Sequence, residues 1–382
     1  MQLLADSDPK KQKINLSPDI SPNISPEIEL LLYALYPEME DPILQKIKVL
    51  AQKEIDWKFF LKTAYRHGVA PLLYSRINNN CPEYIPEPVL REIRSIFYAN
   101  AQHNLFITGE LIKILSLLQK QNITAFPYKG PVLANSIYGN VGMRRFCDLD
   151  IMVQPKDIFA VKELLISLGY QPKRKMDRVQ ELAYLRSKNQ HTYDFIDEPK
   201  KILVEVHWRL GPKVFTDIKP DNFWNNLTPI TLSNITTLTL PPEYYLPILC
   251  VHGSRHIWTK LAWLCDIATL IYTNPNLNWE RVIHNSENWQ CKRILFVGIL
   301  LTKTLFEVNL PAEIYKQIKS DKIIEKIIPL VYAQLFDNVR TSEKFLGRTL
   351  YHLQTRERLQ DKLLYLQSFI NWFKTTRMGL SI

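Results

Sequence analysis

The sequence predicts a mostly helical α+β protein, with a small α/β core over residues 122–240 flanked by helical regions on both sides. Three observations predict it. Apolar residues recur at helical spacing before residue 121 and after 241, as in Leu105, Ile112, Leu115 and Leu118. Short strand-like runs occur between those stretches. Glycine is scarce, 11 residues against 24 prolines, which disfavours an all-β fold rich in tight turns. At about 150 residues per domain, 382 residues suggest two to three domains. Hydrophobic residues at 46% and charged residues at 23% are ordinary globular values, which excludes disordered, collagen-like and coiled-coil classes.

Residues 1–26 carry LSPDISPNISPE, a Ser-Pro pattern without hydrophobic period, and read as a flexible leader. It ends in a helix start, with Ser25 as N-cap and Pro26 at the first helical position. Residues 27–121 form the N-terminal helical region. ITAFPY (123–128) is a short strand, and Pro131 to Gly139 a short helix punctuated by proline at its start and glycine at its end. CDLDIMVQP is a second strand, Ile158 to Leu168 a helix, and HTYDFI–DEPKK–ILVEVHW a β-hairpin. From about Pro241 helical periodicity returns, giving a C-terminal helical region over 241–382.

The net charge of +10, from 48 basic and 38 acidic residues, suits an anionic partner: a nucleotide, a nucleic acid or a membrane surface. Cys81, Cys147, Cys250, Cys265 and Cys291 are odd in number and show no CxxC spacing, which points to reduced thiols in a cytoplasmic protein. MQLLADSDPKKQ lacks the pattern of a secretory signal, and the longest apolar stretch, Leu295 to Phe306, is too short to span a bilayer.

Asp148-Leu-Asp150-Ile-Met-Val is the sharpest chemical feature. On a strand Asp148 and Asp150 share one face, while Leu149, Ile151 and Val153 share the other. Two carboxylates so close repel unless a cation sits between them, and oxygen ligands so arranged suit Mg²⁺. Upstream, Lys129-Gly130-Pro131 delivers a lysine and a glycine to a helix N-terminus, where free N–H groups favour phosphate. Arg144, in GMRRF, reads either as a clamp on phosphate oxygens or as a counter-ion for Asp148. In VEVHW, Glu205 and His207 share a strand face. Glu205 would supply a third carboxylate, completing a two-metal site or acting as general base; His207 reads more simply as a hydrogen-bonded strand histidine.

KGPVLA, YG, GMR, DLDIMV and the distant VEVHW together resemble the nucleotidyltransferase superfamily whose fold is shared with DNA polymerase β. More narrowly, they resemble a bacterial family of uncharacterised nucleotidyltransferases, which also shows the pattern of His252-GSR-His256-I-Trp258 followed by LAWLC-Asp266-I. The likeness runs from about Phe126 to Ile271. It implies a polymerase β-like core and transfer of a nucleoside monophosphate from an NTP, ATP first, to a hydroxyl-bearing acceptor, with pyrophosphate released. It also implies two Mg²⁺ ions on Asp148, Asp150 and Glu205, and a triphosphate positioned by Lys129, Gly130 and Arg144. One departure stands out: the superfamily glycine is normally followed by serine, and here Pro131 follows Gly130.

His252 and His256 are spaced i, i+4, which puts both on one helix face; Gly253 stands where a zinc protease needs its glutamate, so that reading fails. These histidines, with Asp266 and His207, are expected behind the catalytic residues or beside an acceptor pocket. Two basic clusters, Lys173-Arg174-Lys175 with Arg178, Arg186 and Lys188, and Arg340, Lys344 and Arg348 followed by Arg356, Arg358, Lys374 and Arg377, read as solvated faces or as a groove for tRNA. A small acceptor is favoured over tRNA or protein. The rival reading is a non-catalytic helical interaction protein that keeps this fold and binds a partner through its basic helices.

Overall fold

The computed structural model describes residues 24–212, 218, 221–336 and 341–377, with side chains at 221–222, 341–346 and 371–377 left aside. The leader up to residue 23, Arg340, and the side chains of Lys344, Lys374 and Arg377 therefore lie outside the described residues. Five helices come first: α1 (Pro26–Tyr33), α2 (Asp41–Ala51), α3 (Trp57–Arg66), α4 (Ala70–Asn80) and α5 (Glu87–Lys120). The middle holds β1 (Ala125–Pro127), α6 (Gly130–Tyr138), β2 (Asp148–Val153), α7 (Ile158–Ser167), β3 (Gln171–Pro172) and α8 (Arg178–Arg186). It continues with β4 (Thr192–Asp197), β5 (Ile202–His207), α9 (Asp221–Trp224), β6 (Thr228–Leu232) and β7 (Ile235–Thr239). The last eight helices are α10 (Pro242–Arg255), α11 (Leu261–Thr273), α12 (Trp279–Asn288), α13 (Lys292–Phe306), α14 (Ala312–Ser320), α15 (Lys322–Phe336), α16 (Thr341–Thr355) and α17 (Leu359–Arg377). The fold is thus a mostly helical α+β one.

Five strands form one mixed sheet in the order β1-β2-β5-β4-β3. Only β2 and β5 run parallel; the other pairings are antiparallel. A parallel pair needs a long crossover, which here is the stretch carrying α7, β3, α8 and β4. β2 is central and buried from Leu149 to Val153, because helices or neighbouring side chains cover both faces. β6 and β7 form a separate hairpin, turned at Ser233 with φ of 55°.

Apolar burial divides into two clusters. One joins the helices of both ends and includes Val89 and Ile93 of α5; the other lies around the sheet and includes Ile107, Leu111, Ile114 and Leu118 of the same helix. The 34-residue α5, about 50 Å long at 1.5 Å per residue, therefore contributes to both. Each fully buried aliphatic side chain is worth roughly 1.5–3 kcal/mol, so α5 contributes strongly to either side.

The second half of the histidine motif is a turn rather than more helix. α10 stops at Arg255, His256 caps it, and Ile257 and Trp258 take left-handed φ values of 49° and 54°. This folds the Trp258 ring back against Gly253 and Gly298, where a Cβ on either glycine would collide with it. The indole N–H donates to Tyr351 Oη at 2.9 Å, and Tyr351 donates to Ser254 at 2.8 Å. Gly253 thus serves tryptophan packing.

Candidate functional site

The register of β2 against β5 builds the site. Asp150 lies opposite Glu205 and Met152 opposite His207, so the polar faces of two parallel strands meet side by side. The acidic residues project together because strand side chains alternate. One ligand atom from each of Asp150, Glu205 and His207 falls within 4.8 Å of the others, close enough for one metal ion.

Asp150 is buried, and both bonds found on it converge on Oδ1: Lys129 Nζ donates at 2.8 Å and His207 Nε2 at 2.9 Å. His207 Nε2 also approaches Glu205 Oε2 at 3.3 Å, and Tyr128 Oη lies 3.1 Å from the other ring nitrogen. Burial alone would raise the Asp150 pKa, but the charge of Lys129 and the His207 bond outweigh it and hold the carboxyl well below the usual range. Burial likewise opposes charge on His207, yet its bonds to Asp150 and Glu205 lift its pKa above the ordinary value. For Asp148 the balance falls the other way, because the charges of Lys129 and Arg144 ease its ionisation only in part. Burial, then Asp150, then Glu205 push its carboxyl up to about 6. Lys129 and His207 meet Asp150 directly and His207 also reaches Glu205, so of the two aspartates only Asp150 has a basic group bonded to it among the described residues.

The loop from β1 to α6 brings Lys129 here. Gly130 has φ of +54°, a conformation L side chains rarely adopt, and a Cβ there would sit 3.4 Å from the Asp148 carbonyl oxygen. Glycine thus lets the start of α6 lie close to the start of β2. Pro131 follows inside the first turn, and Gly139 closes α6 in the left-handed conformation, as its sequence punctuation predicts. Proline removes one N–H from that turn, so a phosphate bound there has one donor fewer.

Arg144 pairs directly with Asp266, while its charge also eases ionisation of Asp148. Its Nε donates to Asp266 Oδ2 at 3.0 Å, and Tyr138 Oη donates to Asp266 Oδ1 at 2.9 Å. Asp266 holds the Arg144 guanidinium above its usual value although burial opposes this. The preceding turn is fixed from α5, where Asn104 Nδ2 donates to the carbonyls of Val141 and Arg144 at 2.6 and 2.7 Å. Asn100 donates to the Gly142 carbonyl at 2.9 Å.

His252, His256 and Trp263 form a cluster of three rings with centroids 5.1 to 5.4 Å apart. Burial, then the charge of Lys129, keeps His252 neutral, and a smaller influence of Asp150 shows that this cluster borders the acidic site. The same field reaches Arg255, whose guanidinium feels Tyr128, Glu205 and Asp150 and lies 3.5 Å from His191.

Sequence reasoning singled out Asp148, Asp150, Glu205, Lys129 and Gly130, and the structure brings these together. It missed Tyr128, Tyr138, Asn100, Asn104, His191 and Arg255. The two asparagines are four residues apart and so share a face of α5, the one faint signal; the others carried none.

Residues 53–307, more than half of the chain, match the family model described as uncharacterised nucleotidyltransferase. No curated protein and no solved structure matches the chain. Among the described residues, no helix is long and apolar enough to cross a membrane.

Proposed function

The chain belongs to the uncharacterised nucleotidyltransferase family, and from that premise we propose that it transfers a nucleoside monophosphate from an NTP, with ATP the first choice, to a hydroxyl of a small acceptor. Membership supports nucleotidyl transfer in general; the observation that carries the finer reading is the pairing of Asp150 with Glu205 across parallel strands, beside His207 and on the face that Asp148 shares. In the reaction the acceptor oxygen forms a bond to the α-phosphorus while the bond to the bridging oxygen of the leaving pyrophosphate breaks. The hydroxyl proton passes to a base.

The residues fit a divalent cation. The cluster is rich in carboxylate oxygens, the donors Mg²⁺ prefers, and Asp148, raised first by burial and then by repulsion from Asp150 and Glu205, is a group whose ionisation a cation would favour. Asp148, Asp150 and Glu205 would hold it, with room in the reading for two ions. Bound Mg²⁺ would neutralise charge developing on the phosphates. Glu205, a quarter exposed where Asp150 is buried, is the carboxylate positioned to meet the acceptor hydroxyl and take its proton. Tyr128 and Asp150 orient His207 from opposite sides of its ring. Lys129 and the backbone at Gly130 would receive the triphosphate, its ammonium turning from Asp150 to phosphate oxygens.

Thermal unfolding of the full chain with each of the four NTPs, with and without Mg²⁺, tests this. A ligand bound to the folded state raises its stability by RT ln(1 + [L]/Kd), so one NTP with Mg²⁺ should raise the midpoint. Release of pyrophosphate from that NTP on adding an acceptor completes the test. No midpoint shift with any NTP would favour the rival, a binding protein on the same fold.

A further inference from the structure

A cavity with several polar side chains in its wall lies at the far end of α6. Gly130 begins that helix beside Asp148, and Tyr138 ends it about 12 Å further on, at 1.5 Å per residue. There a cavity of about 210 Å³ opens between α4, α6 and α11, walled by Ser75, Arg76, Asn79, Tyr138, Thr269 and Tyr272 among others. Among the described residues that line it, none is acidic.

Arg76 is the unusual member. Its Nε is buried and finds no hydrogen-bond partner among the described residues, and burial lowers its pKa below the ordinary guanidinium value. Two carboxylates that meet the lining residues Tyr138 and Tyr272 are engaged. Asp266 accepts from both Tyr138 and Arg144, and Glu38 is the hydrogen-bond partner of Tyr272. The guanidinium as a whole is partly buried, and a buried donor without a partner carries a desolvation cost that a bound acceptor would offset. A guanidinium recognises a carboxylate or phosphate through paired N–H donors, and the amide of Asn79 adds a neutral donor at the same mouth, while the Asn80 amide donates to the Arg76 carbonyl at 2.7 Å.

We propose that this cavity binds a small anion, a carboxylate or a phosphate monoester, on the Arg76 guanidinium. The volume admits a compact molecule and excludes a polynucleotide. Met143, one residue before Arg144, also lines the cavity, so an occupant touches the turn that precedes the acidic strand. The inference needs no nucleotide and stands apart from the proposed reaction.

The test uses the full chain without divalent cations. Sodium phosphate and sodium acetate are titrated against the thermal midpoint at constant ionic strength, with sodium chloride as reference. Phosphate stabilises proteins in general by exclusion from their surface, so the readout is the difference between wild type and variants. At ten times Kd, the wild type should gain about tenfold in its folding equilibrium. Arg76→Gln should lose that gain and, with an unpartnered buried donor and a partly desolvated charge removed, keep or raise its ligand-free midpoint. Arg76→Lys should retain part of the gain, and Lys129→Ala all of it. A response to phosphate alone identifies a phosphate site; a response to acetate as well identifies an anion site open to carboxylates. The proposal fails if neither anion stabilises the wild type beyond Arg76→Gln, if Lys129→Ala rather than Arg76→Gln abolishes the response, or if ligand-free Arg76→Gln is markedly less stable.

Discussion

Two aspartates, Asp150 on β2 and Asp266 on α11, are both buried, and each meets a basic side chain at hydrogen-bond distance. They differ in what surrounds the pair. Asp266 gives one oxygen to Tyr138 and the other to Arg144, so one carboxylate and one guanidinium close on each other. Asp150 receives Lys129 and His207 on the same oxygen, with two further carboxylates, Asp148 and Glu205, close enough to raise or accept bonds in turn. A balanced pair holds structure in place. A cluster with surplus negative charge repels itself in the folded state, and under the proposed reading that repulsion is what a bound cation would relieve.

The largest expected effect separates the two aspartates by activity. Asp150→Asn should lower turnover by about a thousandfold or more, because phosphoryl transfer depends on positioned charge. Its apo form should also lose stability, since Lys129 and His207 keep an amide oxygen to bond but lose the anionic charge that balanced them. Turnover near that of the wild type would break the comparison.

Next in size, Arg144→Met leaves Asp266 as a buried carboxylate without its cation, and should cost about 3 kcal/mol in denaturant unfolding. If Arg144 instead serves phosphate, stability will hold and the apparent affinity for NTP will fall. That outcome would move Arg144 from the closed pair to the open cluster.

A third measurement uses pH. The native Asp148 carboxyl titrates near 6, above its unfolded value near 3.8, so the native state binds the extra proton between those values. Stability from this group therefore falls as pH rises through that window. Asp148→Asn removes the loss: relative to wild type it should gain about 1–2 kcal/mol between pH 3.5 and 7 without divalent cations, less than full linkage because solvent reaches the carboxyl. Adding Mg²⁺ should shrink the gain. A pH-independent difference would show that Asp148 carries no surplus charge.

The smallest effect is Tyr138→Phe, which removes one bond from Asp266 and should cost about 1 kcal/mol with little change in turnover. A large loss of turnover would show that the Tyr138–Asp266–Arg144 chain reaches the reaction.

Much of the acidic face was readable because a strand repeats every two residues, and DLDIMV and VEVHW each put their polar side chains on one side. The limits of α6 were readable because Pro131 and Gly139 restrict the backbone locally. What spacing does not encode is which distant groups meet. Arg144 finds Asp266 122 positions away, and His207 finds Asp150 57 positions away. The hairpin of β6 and β7 escaped for another reason: Pro229 interrupts its β-branched run, and its Ser-Asn turn carries no glycine. His256 left its expected helix because two left-handed residues after it were needed to bring Trp258 back onto Gly253 and Gly298.

The span of α5 has a practical consequence for dissecting the chain. A fragment cut to begin after residue 121 would keep every strand and every carboxylate of the site, yet lose Ile107, Leu111, Ile114 and Leu118 from beneath the sheet. It would also lose the Asn104 amide that ties down the Val141–Arg144 turn. Such a truncation exposes a greasy face and invites aggregation on expression. Because the same helix anchors both apolar clusters, calorimetry of the whole chain should record them melting together, as one cooperative transition.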